Sequence, residues 1–514
     1  MARNEALPKT TMQRLLDTVE RVGNMVPHPA IIFLILIGIV FVLSLVFGLA
    51  GASVTTERLN TTTGLMEPMT TRVRSLFDAD GLRFLYVSLI PNFMNFTAVG
   101  LLIGSMIGAG VMEESGMVKT LIRKLVLVSP AGALSYILAF VGIFSSIAAD
   151  AGYLVLLPLA GIAFLSAGRH PIAGLALSYA AVAGAFTVNM VIKPLDAVLV
   201  QFTNDAIRLV DPHMSIGLAS NLFFSFASVL FLTVLVGFLT DKVVEPRLGR
   251  YVGTGDGATN EHGGPLSEAE SRGLRYAGLG VLATLVIFGL LTIPSWAPLR
   301  DPDTGALIGN SPFMNGLIGL IIILFLVSGW CYGVGAGTLR SLGEVIAAME
   351  KAVTSLGGTI FLFFIISQFT AYFVYTNLGT VAALNLASIL SAANLGPLPL
   401  LLGFIVVVAI LDIVIVGAIP KWAIFAPVFV PLLMKLGADP AAVLAAYRIG
   451  DSPMNALTPV NAYFALVVGF ARNYDKNAGV GTVVALMLPY FIWMQLLWMA
   501  FFAVWQILGI PWGI

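Results

Sequence analysis

Gly417–Pro459 reads GAIPKWAIFAPVFVPLLMKLGADPAAVLAAYRIGDSPMNALTP, membrane-grade hydrophobic sequence interrupted by Lys421, Arg448, Asp451 and repeated prolines. An ionisable side chain at bilayer depth costs at least about 2.5 kcal/mol on insertion scales. Proline removes a backbone donor where lipid supplies no replacement. Both are tolerated only around a protein-lined, usually watery cavity. A second stretch of the same kind lies earlier, GIFSSIAADAGYLVLLPLAG from Gly142 and then FTVNMVIKPLDAVL from Phe186. Two matched interruptions are the sequence signature of a transporter built from repeats.

The composition agrees. The 514 residues are 58% hydrophobic and 11% charged, with a mean hydropathy of +0.95, whereas a soluble domain carries about 25% charged residues. The chain is therefore a polytopic membrane protein, with the lipid bilayer as its first partner. A formal net charge of +0 and no basic tail give no reason to expect nucleic acid. Cys331 is alone, so it forms no internal disulfide, and the histidines at 28, 170, 213 and 262 lack metal-ligand spacing. No cofactor is expected, and no Walker A sequence supplies ATP chemistry. No signal-peptide cleavage pattern precedes the first apolar run, so the N-terminus is expected to be retained.

Hydropathy and the positive-inside rule organise the chain into four segments. Residues 1–27 read as a cytoplasmic interfacial segment, with helical periodicity over 9–24. Residues 28–239 form a first transmembrane half. Its spans lie at 28–50, about 85–111, 171–190 and 216–239, with a re-entrant hairpin at 131–168 whose short arms meet near Ser145, Ser146 and Asp150. Residues 240–273, with Lys242, Arg247, Arg250 and Arg272, read as a cytoplasmic loop. Residues 274–514 form a second half, with spans at 274–293, 313–336, 357–377 and 481–508. It contains a hairpin at 397–436 broken at Gly417 to Trp422, followed by a broken helix at 440–470. The hairpins are expected to enter from opposite faces. The fold class is thus all-α and polytopic, with about nine transmembrane helices and two opposed re-entrant hairpins in inverted repeats. The N-terminus is placed in the cytoplasm and the protein in a bacterial inner membrane.

The polar residues at the breaks are the candidates for chemistry. Arg448 and Asp451 lie three apart, within ion-pairing reach on one helix face. They fit either a structural pair or a site where a guanidinium grips a substrate carboxylate bidentately and Asp451 exchanges it for a proton or cation. Asp150 and Asp196 adjoin breaks and fit coupling-ion or substrate contact as well as helix-end capping, whereas Asp412, inside a hairpin arm, reads as structural. Ser145, Ser146, Asn189 and Asn455 offer oxygen ligands to a small cation, or else satisfy the broken backbone. Trp422 is placed either to stack on an aromatic substrate or simply to pack. Pro440 and Pro459 mark a helix start and a helix break.

These residues resemble the p-aminobenzoyl-glutamate transporter (AbgT) family, through KWAIFAPVFVPLLM from Lys421, YRIGDS from Tyr447, SSIAADAGY from Ser145 and ISQFTAYFVYTNLG from Ile366. The likeness extends over nearly the whole chain. It implies a homodimer of bowl-shaped protomers, each with nine transmembrane helices and two opposed hairpins, related to the wider ion-transporter superfamily. It also implies secondary active transport of p-aminobenzoyl-glutamate or another aromatic carboxylate, or export of p-aminobenzoate and sulfonamide antimetabolites. Family positions associated with transport fall on Asp196, Trp422, Pro440, Arg448, Asp451 and Pro459. Two departures bear on coupling. The hydroxyl-rich hairpin tip of the family is GAIPK here, and its Asp-Ser-x-Thr-Asn is DSPMN. Pro420 and Met454 therefore remove possible sodium ligands, which favours H+ over Na+ as the coupling ion.

Two other classes compete. A channel for small organic anions would use the same broken hairpins as a filter, but it would show unsaturable flux. An intramembrane aspartyl protease is suggested only by Gly253-Thr254-Gly255-Asp256, in a polar loop rather than a buried two-carboxylate site. No hydrolase motif accompanies it, so no enzyme activity is expected.

Overall fold

The structure is a computed structural model. It describes residues 29–59, 66–127, 129–148, 152–251, 265–308, 311–382, 385, 396–412, 417–459, 461 and 463–514. The N-terminal segment, Asp150 and the Gly253–Asp256 motif lie outside the described residues. What is described is nearly all-helical, with eight helices or helix pairs long and apolar enough to span a membrane. Four shorter apolar helices, Leu134–Ser145, Gly152–Ser166, Pro171–Gly184 and Pro397–Leu411, accompany them.

The chain enters through α1 (Pro29–Leu49), whose Ile31, Leu34 and Val42 point outward, as a lipid-facing helix requires. The Thr-rich stretch that follows is an antiparallel ribbon of Ser53–Leu59 and Met66–Arg72. The span expected at 85–111 is two helices, α2 (Ala79–Met94) and α3 (Thr97–Glu114). Pro91 withdraws a backbone donor near the end of α2, and the chain turns at Asn95. The basic residues after it lie on an amphipathic helix, α4 (Met117–Leu127), that buries Val118, Ile122 and Val126.

The first hairpin has arms α5 (Leu134–Ser145) and α6 (Leu157–Ser166), joined through a 3-10 turn at Ser146–Ala148 and a π-turn at Gly152–Leu156. A broken helix follows. The span expected at 171–190 ends sooner, as α7 (Pro171–Gly184). Residues 185–193 are non-helical, and α8 (Pro194–Ile207) restarts on a proline at its first position, where the missing N–H is harmless. Next come α9 (Leu222–Leu239), α10 (Glu268–Thr292) and α11 (Leu317–Ala336). The segment expected to be a loop at 240–273 is helical as far as Leu248 and again from Glu268. Helix α12 (Leu342–Ser355) is amphipathic, and α13 (Gly357–Tyr375) spans.

The second hairpin repeats the first, with arms α14 (Pro397–Leu411) and α15 (Ala418–Lys435). Its break lies earlier than expected, because helix resumes at Ala418 and Lys421 and Trp422 occupy the opening turn of the second arm. Gly417, at φ +101°, makes the turn into that arm with a backbone that side chains rarely adopt. The following broken helix is α16 (Pro440–Leu457) and α17 (Phe464–Arg472), and α18 (Val480–Ile507) completes the bundle. Pro440 opens α16 behind the Asp439 cap, and Pro459 lies just beyond its end. Pro453 lies inside α16, which continues through it to Leu457. The bond that Pro453 cannot make is to Ile449 O; one residue earlier the Thr187 hydroxyl donates to the Arg448 carbonyl (3.1 Å) and also bonds Ser452, tying this turn to the first half.

One helix shows that the hairpins enter from opposite ends. At the start of α9, Asn221 Nδ2 donates to Ala441 O (2.9 Å), at the base of the second hairpin. Beyond its far end, Asp241 and Glu245 bind Arg169 at the base of the first, with Arg169 Nη2 2.6 Å from Asp241 Oδ1. The 18 residues of α9 separate the two bases by about 27 Å, close to a hydrocarbon thickness. Glycine brings helices of the second half together. A Cβ on Gly450 would sit 2.6 Å from Val408 Cβ, so α16 lies directly against the first arm of the second hairpin.

Candidate functional site

The two breaks face one another across the middle of the molecule, and α16 carries charges to both. Every residue of α16 from Pro440 to Ala456 is buried, so each polar group on it must find a protein partner. Six charged side chains gather there, three basic (Lys193, Lys421, Arg448) and three acidic (Asp196, Asp412, Asp451), all buried.

Arg448 and Asp451 do not pair with each other. Arg448 Nη1 donates to Asp196 Oδ1 (2.6 Å) and to the Thr187 carbonyl (2.5 Å), which the non-helical stretch 185–193 leaves without a helical donor. Asp451 turns instead to the second hairpin, where its Oδ1 lies 2.6 Å from Lys421 Nζ and 3.0 Å from Tyr447 Oη. Residues three apart on a helix diverge by about 60°, enough for each to meet a different element. The pair expected from spacing is therefore replaced by two cross-chain pairs.

In the second-half cluster, Lys421 Nζ also contacts Asp412 Oδ1. Asn455 Nδ2 donates to Asp412 Oδ2 (3.0 Å) and to the Asp451 carbonyl. Lys421, Asp412 and Asp451 are all wholly inaccessible. Two carboxylates share one ammonium, leaving one excess negative charge with all three ionised. Among the described residues Asp451 Oδ2 has no hydrogen-bond partner. Tyr447 Oη lies 2.5 Å from Ala418 O and 3.0 Å from Asp451 Oδ1, and its single hydrogen serves one acceptor at a time. Asp412 thus belongs to the charged cluster, held by Lys421 and Asn455.

In the first-half cluster, Asp196 both caps and pairs. Its Oδ2 accepts the Lys193 backbone N–H (2.9 Å) while Oδ1 holds Arg448. Asn189 Nδ2 donates to the Ile143 and Phe144 carbonyls (3.3 and 3.1 Å) and to Ser146 Oγ (3.0 Å), closing the end of the first hairpin arm. Ser145 and Ser146 donate back to Gly142 and Ile143. These three residues satisfy broken backbone, and the cation beside Ser146 Oγ is Lys193 Nζ, at 3.0 Å. Among the described residues no group of three or more His, Cys, Asp or Glu side chains could hold a metal ion.

Trp422 is wholly buried. It stacks on Tyr447 with centroids 4.3 Å apart, and its Nε1 donates to Leu199 O (3.1 Å) and Thr203 Oγ1 (3.0 Å) on α8. This bond ties the second hairpin to the first broken helix. Sequence reading missed Lys193, Thr187 and Tyr447, and left Lys421 without a role. The signal for Lys193 was present, a lone cation in apolar sequence beside a break, just as at Lys421.

Comparison with known proteins places this geometry. Residues 14–514 match the AbgT transporter family. The chain is 33% identical over 500 residues to the p-aminobenzoyl-glutamate transport protein of Escherichia coli (strain K12), covering 97% of this chain and 96% of that protein. It resembles the crystal structure of the YdaH transporter of Alcanivorax borkumensis, described as having an unusual topology. There the TM-score is 0.87 at 40% identity, covering 95% of this chain and all of that one. It also resembles MtrF of Neisseria gonorrhoeae, from a class of antimetabolite efflux pumps, with a TM-score of 0.90 at 36% identity over 96% and 97% of the two chains. These relatives are named as transporters and pumps, not enzymes. By sequence over almost its full length, and by a fold of opposed hairpins and broken helices, the chain belongs to the AbgT transporter family.

Proposed function

We propose that this protein is a proton-coupled secondary carrier of p-aminobenzoyl-glutamate or related aromatic carboxylates. It exports p-aminobenzoate and the sulfonamide antimetabolites that share its aniline ring. The names of the relatives support the substrate class. The same reading places it as a homodimer in a bacterial inner membrane, N-terminus in the cytoplasm, with the basic residues of α4 on the cytoplasmic side.

The observation that carries proton coupling is the enclosed triad of Lys421, Asp412 and Asp451. Its ammonium stands where a small cation would otherwise sit between two carboxylates. Lys421 belongs to the second hairpin and Asp451 to α16, so the charge state of Asp451 bears on how firmly hairpin and core helix hold together. Protonating Asp451 neutralises the excess charge and weakens its hold on Lys421. The Tyr447 hydroxyl is then free to serve Ala418 O at the hairpin tip. Moving the hairpin alternates access, and the proton gradient drives the cycle.

The test is flux of radiolabelled p-aminobenzoyl-glutamate and a sulfonamide in proteoliposomes, under proton and sodium gradients imposed separately. Saturable movement driven by the proton gradient alone, and lost in Asp451→Asn, is the expected result. Flux that follows sodium, or that never saturates, would sink the reading.

A further inference from the structure

A cavity of about 370 Å³ lies between the two hairpin tips, and Ser146, Tyr153, Lys193, Gly417, Asn455 and Tyr463 form part of its wall. The Lys421 triad does not line it. Tyr153 and Tyr463, one from each half, stack nearly parallel with centroids 4.0 Å apart and give the cavity an aromatic wall. Lys193 is its basic group among the described residues. The side chain is only 2% exposed, and its Nζ binds two neutral acceptors, Ser146 Oγ (3.0 Å) and the Phe186 carbonyl.

Among the described residues no carboxylate forms an ion pair with that ammonium. The nearest candidate in sequence, Asp196, has one oxygen on the Lys193 backbone N–H and the other on Arg448. An ammonium has three donors, so one hydrogen of Lys193 remains. A buried ammonium that no carboxylate contacts directly favours an arriving anion, and the open space beside it is this cavity, whose wall also carries one carboxylate, Glu113. Arg448 does not line the cavity; its Nη1 carries both the Asp196 and the Thr187 O contacts, and its Nε is buried without a partner among the described residues.

We propose that Lys193 binds the carboxylate of the transported molecule, with the ring lying against the Tyr153–Tyr463 wall. Arg448 is a positioning residue that holds Asp196 and the 185–193 segment in place. This deepens the carrier reading and rests on its aromatic-carboxylate substrate class, but it is tested by binding rather than by coupling.

The experiment measures equilibrium binding of p-aminobenzoate and of its neutral isostere p-aminobenzamide to full-length purified protein, by calorimetry. It compares wild type with Lys193→Gln, which keeps hydrogen-bond donors, and Lys193→Met, which does not. Thermal melting reports folding, and either folded neutral variant suffices. Wild type is expected to prefer the carboxylate. The neutral variants should lose at least about tenfold in affinity for it, the scale of a hydrogen bond to a charged group, while binding the amide as wild type does. Lys193→Arg should keep the preference. A neutral variant that still prefers the carboxylate, or that loses both ligands equally while folded, overturns the assignment. So does a wild type that does not distinguish them. Flux that fails to follow a proton gradient while this preference stands would instead defeat the coupling reading alone.

Discussion

The two breaks are built alike and charged oppositely. Each has a short-armed hairpin, a proline-started helix broken partway, and a buried lysine. In the first half Lys193 faces an open cavity with neutral partners, and Arg448 and Asp196 cancel, so the cluster of these three carries one excess positive charge. In the second, Lys421 is sealed between Asp412 and Asp451, and that cluster carries one excess negative charge. Inverted repeats can thus divide labour. The half open to a cavity suits an anionic ligand, and the sealed half suits a proton, which needs no volume. The sum over both is zero, which is how six charges are tolerated at this depth.

The comparison breaks most severely at Lys421. Lys421→Met leaves Asp412 and Asp451 buried without a cation, and removing one partner of such a pair costs about 3–5 kcal/mol. We expect a large fall in the melting temperature of detergent-solubilised protein and loss of proton-driven flux. Adding Asp412→Asn returns the cluster to one excess negative charge and should recover much of the melting temperature without recovering flux. A double variant that transports normally would remove the triad from coupling. Arg448→Ala should have an effect of similar size through an unpaired Asp196, also about 3–5 kcal/mol by melting. Because Asp196 also caps α8, Arg448→Lys should restore part of the stability. One Arg448 nitrogen, Nη1, makes both contacts, so an ammonium can offer the same two bonds, on a shorter stem that reaches them less well.

A smaller effect is expected in the first half, where the hairpin end is tied by neutral groups. Asn189→Ala removes the amide that joins the Ile143 and Phe144 carbonyls to Ser146. Neutral hydrogen bonds contribute about 0.5–1.5 kcal/mol each, and the carbonyls left behind carry their own desolvation penalty. A loss of about 2 kcal/mol in melting analysis is the expected outcome, with the binding preference for p-aminobenzoate over its amide retained. Loss of that preference would mean that Asn189 touches the ligand.

Much of this was legible in the sequence, and the failures share one cause. Hydropathy and the two proline-rich interruptions located both hairpins and the second broken helix, because bilayer cost leaves few alternatives, whereas the first broken helix was read as a span at 171–190. Partner choice was not legible. Local spacing joined Arg448 to Asp451, but the partner of Arg448 lies 252 residues away, in the other half. Asp412 looked inert because its cation is nine positions on, across a break that periodicity cannot fold. Pro453 lies inside the helix and does not end it, on a turn that Thr187 of the other half binds through Arg448 O and Ser452. Each error comes from judging a residue by its neighbours in sequence, when the fold supplies its partners from across a break, for Arg448 from the opposite half.

Trp422 tests that lesson at the smallest scale. It was placed by sequence at a hairpin tip where an aromatic substrate could stack, and in the structure its ring lies on Tyr447 with its Nε1 on α8. If its role is to bind hairpin to broken helix, Trp422→Phe keeps an aromatic ring and loses only the hydrogen bonds to Leu199 O and Thr203. The expected loss is about 1–2 kcal/mol in melting analysis, part of it from Thr203 left wholly buried without that partner. Affinity for p-aminobenzoate and for its amide should stay in the wild-type ratio, since the ring is outside the cavity. If instead both affinities fall together while the melting temperature holds, Trp422 reaches the ligand in another state of the cycle, and the sealed half would share in substrate binding as well as in coupling.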